Sequence, residues 1–139
     1  MIDCIILGDS IAVGTHQFKK ECVLVGKGGI NTWQWNNLYA KQSLDAKTVI
    51  ISLGTNDHKY IKTEQELIKM RQRVKADRVF WILPAGNLKA SEVPIAKIQT
   101  LVKSIAEKYG DRIIQINSLQ NDKIHPSWNG YKTIVENIK

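Results

Sequence analysis

Three residues from opposite ends of the chain have the types that nucleophilic catalysis requires: Ser10, Asp122 and His125. Asp122 and His125 stand three apart, just before Pro126. That spacing brings both side chains to one side of a turn or a first helical turn. A carboxylate so placed accepts from histidine Nδ1–H, fixes the tautomer and stabilises the imidazolium, which leaves Nε2 free as a general base. Ser10 closes the turn Gly8-Asp9-Ser10 and becomes a nucleophile if such a base comes within hydrogen-bond reach. Donors for a developing oxyanion are also present: the Ser10 N–H at a helix start, a flexible N–H at Gly29, and the Asn56 side-chain amide. Preorganised donors of this kind are worth roughly 3 to 4 kcal/mol each. Nucleophile, base, orienting carboxylate and three donors answer the requirements of acyl transfer.

These residues need a frame that brings four separate loops together. Met1 to Leu7 is a short apolar run ended by a turn, which reads as a buried strand, and residues 11–20 are helix-compatible. Further strands are expected at 22–25, 47–53, 78–83 and 112–117, and helices at 30–41, 63–75, 91–109 and 127–139. Thr63 and Glu66 have capping-box spacing, and Gly110 follows its helix as a C-cap. Alternation of this kind predicts an α/β fold, a three-layer α/β/α sandwich around a five-stranded, parallel, doubly wound sheet. The loops after all five strands then share one edge, where ligands bind in such sheets. Asp9, Trp33, His58 and Asn87 lie in or beside these loops and are the remaining candidates for substrate contact. Asp9 also reads as loop support or helix cap, and Asp57 as a hydrogen-bonding tie for its loop. Trp33 and Trp35, two apart on a helix, point in different directions, so at most one belongs to the core. An exposed Trp33 would suit stacking on a sugar ring.

The chain has 139 residues, 43% of them apolar and 24% charged, which fits one globular domain spanning 1–139. No stretch approaches the roughly 20 apolar residues that cross a membrane, and the N-terminus lacks signal-peptide features, so a cytoplasmic location is expected for the chain as encoded, with an external or envelope site of action left open. Cys4 and Cys22 fall in expected strands, and a buried free thiol is the expected state of each, although two adjacent strands would allow a bridge. No Cys/His cluster has zinc spacing, and no metal or cofactor is expected. The net charge is +7 without a basic run of five or more residues. A solvated surface is the expectation, with attraction to an acidic polymer left open and no nucleic-acid partner expected.

The motifs resemble those of the SGNH hydrolases, also called GDSL esterases and lipases. Gly8-Asp9-Ser10 is similar to the first family block, Gly26-Lys27-Gly28-Gly29-Ile30-Asn31-Thr32 to the second, Gly54-Thr55-Asn56-Asp57 to the third, and Asp122-Lys123-Ile124-His125-Pro126-Ser127 to the fifth. Four blocks in order span nearly the whole chain. The resemblance implies a Ser10–His125–Asp122 triad and an oxyanion hole of the Ser10 N–H, the Gly29 N–H and Asn56, with Gly28 the alternative donor to Gly29. It implies a flavodoxin-like SGNH fold and an ester hydrolase working through an acyl-enzyme without a cofactor. Short loops suggest small acyl groups such as acetyl, on a small molecule, a carbohydrate or a cell-envelope polysaccharide. A lipid esterase, lysophospholipase or thioesterase is the alternative within the family. A non-catalytic glycan-binding module is the alternative outside enzymes.

Overall fold

A computed structural model describes residues 1–139. The strands are β1 (Ile2–Gly8), β2 (Val23–Gly26), β3 (Ala46–Ser52), β4 (Arg78–Ile82) and β5 (Arg112–Ile114). The helices are α1 (Ser10–Gln17), α2 (Thr32–Leu38), α3 (Thr63–Gln72), α4 (Ile95–Tyr109) and α5 (Trp128–Glu136). All five strands pair in parallel, in the order β2-β1-β3-β4-β5. This is the flavodoxin-like order; the alternation implied a doubly wound parallel sheet, and the family resemblance its flavodoxin-like form. No helix is long and apolar enough to cross a membrane.

Alternation along β1 divides the core, because successive strand residues face opposite sides of the sheet. Ile5 and Leu7 pack with Trp35, Leu67, Met70, Ile98 and Val102 beneath α2, α3 and α4. Cys4 and Ile6 pack with Ile11, Ala12, Tyr131 and Ile134 beneath α1 and α5. Three layers result, as the sequence pattern implies.

The register also aligns the strand ends. Gly8 lies opposite Gly26 on one side and Ser52 on the other, so β1, β2 and β3 end at one level. Asp9 N–H donates to the Ser52 carbonyl at 2.9 Å and Lys27 N–H to the Gly8 carbonyl at 3.1 Å, which carries the ladder into the loops. Gly8 has φ +141°, and a Cβ there would collide with Ser52 O, so only glycine can turn the chain at this point.

Four local expectations are corrected. The expected helix 91–109 begins only at Ile95, after a 3-10 turn at Lys89–Ser91 and Pro94 as N-cap. The strand expected at 112–117 ends at Ile114. Thr63 and Glu66 do not form a capping box: Lys62 is the N-cap residue and makes no side-chain cap, while the Thr63 hydroxyl donates to Asp57 Oδ2 at 2.7 Å. The capping box of the chain is instead at Asn31 and Gln34. Cys4 and Cys22 are not free thiols but a disulfide, with Cα atoms 4.8 Å apart. The β1–β2 register explains it: with Ile5 opposite Val23, one step back sets Cys4 beside Cys22.

Candidate active site

The β1–α1 junction presents Ser10. Asp9 is the N-cap of α1, its Oδ1 accepting from Ile11 N–H at 3.0 Å, and Ser10 is the first helical residue. Ser52 Oγ–H donates to the same oxygen at 3.1 Å, tying the cap to β3. Asp9 is fully buried and its Oδ2 has no partner. Burial pushes the carboxyl up to about 7, against the hydrogen bonds from Ile11 and Ser52. Buried this way, Asp9 is removed from the candidates for substrate contact, and its role is that of cap and loop support.

Residues 119–126 bring the histidine to Ser10. Leu119 and Pro126 form an antiparallel bridge that closes the loop. Inside it, Asp122 Oδ1 accepts from the N–H groups of Ile124 at 2.9 Å and His125 at 3.0 Å. Asp122 Oδ2 meets His125 Nδ1 at 2.7 Å, and His125 Nε2 lies 2.8 Å from Ser10 Oγ. The Ile124 N–H, the His125 ring and the His125 N–H together hold Asp122 down at about 2. Asp122 is thus ionised near neutral pH, and the proton of the Nδ1 contact belongs to the histidine. Lys123 takes φ +58° to make this turn. The loop is seated by Gly86 after β4, where a Cβ would collide with Lys123 O and Ile124 Cα.

The loops after β2 and β3 close the other side. Asn56 Nδ2 donates to Ile30 O at 3.1 Å; an amide has two such hydrogens, so the second is without a partner. Asp57 is 1% exposed and accepts from Thr32 N–H at 2.9 Å, Thr32 Oγ at 2.7 Å and Thr63 Oγ at 2.7 Å. Burial raises its pKa despite these bonds. One carboxylate therefore pins the start of α2 and the start of α3 to the Asn56 loop, the tie expected of it. Gly28 and Gly29 are both exposed, and it is Gly28 that comes near the nucleophile: a Cβ there would stand 3.9 Å from Ser10 Cβ.

The other candidates are dispersed. Trp33 is 54% exposed on the first turn of α2, whereas Trp35 is fully buried, its indole N–H on Val25 O at 2.9 Å. Asn87 is exposed, but its Oδ1 is engaged by Ile95 N–H at 2.7 Å at the start of α4. His58 Nδ1 accepts from Tyr60 N–H at 3.2 Å, and the residue lines a cavity of about 440 Å³ in which Ile61, Val93 and Ile98 stand among charged side chains. That cavity holds none of the residues Ser10, Asp122 and His125. They sit at an open surface, with the His125 side chain 33% exposed. The largest cavity, about 520 Å³, is at the opposite edge, beside Asp3 and Arg78 at the strand starts. No three or more His, Cys, Asp or Glu side chains are clustered so as to hold a metal ion.

No family profile matches the sequence, and no curated protein matches it either. Solved structures do match. A GDSL-like lipase from Bacteroides thetaiotaomicron superimposes with a TM-score of 0.73 at 19% identity, over 96% of this chain and 83% of that one. A member of the lipolytic G-D-S-L family from Veillonella parvula gives 0.66 at 14% identity, over 98% and 95%. A carbohydrate esterase family 2 enzyme with a carbohydrate-binding domain, from Myceliophthora fergusii, gives 0.67 at 13% identity, over 98% and 64%. With its strand order, its three layers and these neighbours, the chain has the fold of the SGNH, or GDSL-like, hydrolases.

Proposed function

We propose that the protein is a serine ester hydrolase. The observation that carries this reading is the unbroken chain from Ser10 Oγ to His125 Nε2 at 2.8 Å and from His125 Nδ1 to Asp122 at 2.7 Å. Ser10 Oγ attacks the acyl carbon while His125 Nε2 takes its proton; Asp122 stabilises the imidazolium. Ser10 N–H, Gly29 N–H and the second Asn56 hydrogen receive the carbonyl oxygen as it becomes negative. His125 then returns the proton to the departing alkoxide. Water, deprotonated by the same imidazole, releases the acid and regenerates Ser10. Nothing in this cycle calls for a cofactor.

The open surface around Ser10 supports small acyl groups, acetyl first among them, on a carbohydrate or envelope polysaccharide. The exposed Trp33 beside the second loop suits a sugar ring, and the carbohydrate esterase among the structural neighbours agrees with that choice. A second reading, a longer acyl chain, is supported by the cavity beside His58, two residues from Asn56, whose lining includes Ile61, Val93, Ile98 and Leu101. Fluorophosphonate labelling of wild type and Ser10→Ala tests the hydrolase reading: label on the wild type alone is expected, and an unlabelled wild type sinks it. The 4-nitrophenyl esters from acetate to octanoate decide the acyl group. A rate that falls with length is expected, and a preference for octanoate selects the longer chain.

The Cys4–Cys22 bridge supports an oxidising compartment as the place of action rather than the cytoplasm expected from the sequence. Protein taken from its own cells and denatured without reductant should then bind no maleimide. Two labelled cysteines would restore the cytoplasmic reading.

A further inference from the structure

We infer that the groove beside Gly29 binds a carboxylate of the substrate, which makes the preferred ester one carried by an acidic sugar. The inference rests on the hydrolase reading and deepens it. The groove has a volume of about 250 Å³ and is lined by Lys27, Gly28, Gly29, Ile30, Gln34 and Leu38. It is small beside typical ligand sites and suits one compact group rather than a chain. It is also next to the reaction centre, since Gly28 approaches Ser10.

Its side-chain chemistry is one-sided. Lys27 is exposed and forms no ion pair, while its backbone is anchored to Gly8 O, one residue from the nucleophile's cap. Gln34 is oriented by the capping box: its Oε1 accepts from Asn31 N–H at 3.0 Å, so its two Nε2 hydrogens are left without a partner. No carboxylate side chain lines the groove. An ammonium and an amide donor without an acidic neighbour select an anion, and exposed Leu38 offers an apolar edge to a ring. The cavity beside His58 differs. There Glu64 and Glu92 share the lining with Lys59, Lys62 and Lys97, and Lys59 is already paired with Glu92 at 2.7 Å. The net charge of +7 favours approach of an acidic glycan as a whole.

The test compares KM for acetylated oligogalacturonate with KM for acetylated xylo-oligosaccharide, using wild type, Lys27→Ala, Lys27→Glu and Gln34→Glu. Gln34→Glu keeps the Oε1 acceptor of the capping box and replaces only the donor. Wild type should favour the acidic substrate, by a margin that shrinks with added salt. Lys27→Ala should raise the acidic-to-neutral KM ratio about fivefold, the upper range for an exposed ion pair. Lys27→Glu and Gln34→Glu should raise it too, Lys27→Glu the most. A ratio that moves in none of the variants, or a wild type that prefers the neutral glycan, overturns the inference. Failure of the hydrolase reading is a different result, a wild type inert toward 4-nitrophenyl acetate. In that event calorimetry of unacetylated oligogalacturonate with wild type and Lys27→Glu still decides the groove: weaker binding by the variant supports it, and equal binding overturns it.

Discussion

The two sides of the Ser10 site are held by opposite means. On the β2–β1–β3 side, the loops are fixed from below by carboxylates taken out of water. Asp9 caps α1 and Asp57 joins α2, α3 and the Asn56 loop, and both have raised pKa values because burial disfavours their charge. On the β5 side, Asp122 is exposed and works within its own turn, with its pKa lowered to about 2 by neighbouring N–H groups and the histidine. One side is preorganised by the core and the other by a few consecutive residues. The difference separates stability from rate: buried carboxylates should carry the first, and the exposed one the second.

Asp122→Asn is the strongest way to break this contrast. The substitution keeps the size of the side chain but removes the charge that fixes the tautomer of His125. A loss of kcat of about 10⁴-fold is expected, the scale of losing the orienting carboxylate of such a triad. The thermal midpoint should fall only slightly, because the side chain is exposed and the Asn Oδ1 still accepts from the Ile124 and His125 N–H groups. A large fall in midpoint with kcat retained would reverse the assignment of roles.

Asn56→Ala comes next. It removes a side-chain donor from the site and the bond to Ile30 O together. A fall in kcat of about 10² to 10³-fold is expected with KM little changed. A rise in KM at constant kcat would show that Asn56 binds the ground state and is not an oxyanion donor.

How much of this could be read from the sequence obeys the same division. The Asp122–His125 pairing is local, three residues within one turn, so spacing alone exposes it. The strand-ending glycines and the alternation of apolar runs with amphipathic helices likewise pointed to the sheet edge. What escaped reading depends on register and on contacts distant in sequence. The Cys4–Cys22 bridge requires knowing that β1 and β2 are neighbours, with Ile5 opposite Val23. Thr63 has the spacing of a cap, yet Asp57 claims its hydroxyl, and no local rule weighs a buried carboxylate six residues away. Asn87 looks like a loop residue free for substrate until Pro94 delays α4 and leaves Ile95 N–H to be satisfied. The Asn31–Gln34 capping box was the one missed feature with a local signal, an Asn followed three residues later by Gln.

Asp57→Ala tests the buried side. The Thr32 N–H and the Thr32 and Thr63 hydroxyls lose a charged acceptor in a dry site, at a cost of about 3 kcal/mol. For a chain of this size that is a drop of roughly 10 °C in the thermal midpoint. In the folded variant, at a temperature well below its midpoint, the Ser10–His125–Asp122 contacts remain, and fluorophosphonate should still label Ser10. A variant as stable as wild type would show that the α2–α3 tie contributes nothing.

The smallest effect is the pH dependence from Asp9. Its carboxyl sits at about 7 in the folded chain and at an ordinary carboxylate value, 3.8, when unfolded. Between about pH 4 and 7 the folded state therefore keeps a proton that the unfolded chain has released. Stability must then fall as pH rises through that window and level off above it. From pH 6 to pH 8 this group alone accounts for a loss of about 1.4 kcal/mol. Tyr131 faces it from α5, but burial and the nearby carboxylates push that hydroxyl up to about 12, so it stays neutral throughout. Asp57, also raised, contributes a slope of the same sign. Asp122 acts in the reverse sense: its contribution is present near neutrality and is lost only as pH falls below about 4 toward 2. Asp9→Asn keeps an acceptor for Ile11 N–H and Ser52 Oγ–H but cannot ionise. Denaturant midpoints measured at pH 6, 7 and 8 should thus decline less in the variant than in wild type. Parallel declines would mean that Asp9 is already ionised in the folded protein, with its second oxygen satisfied by water.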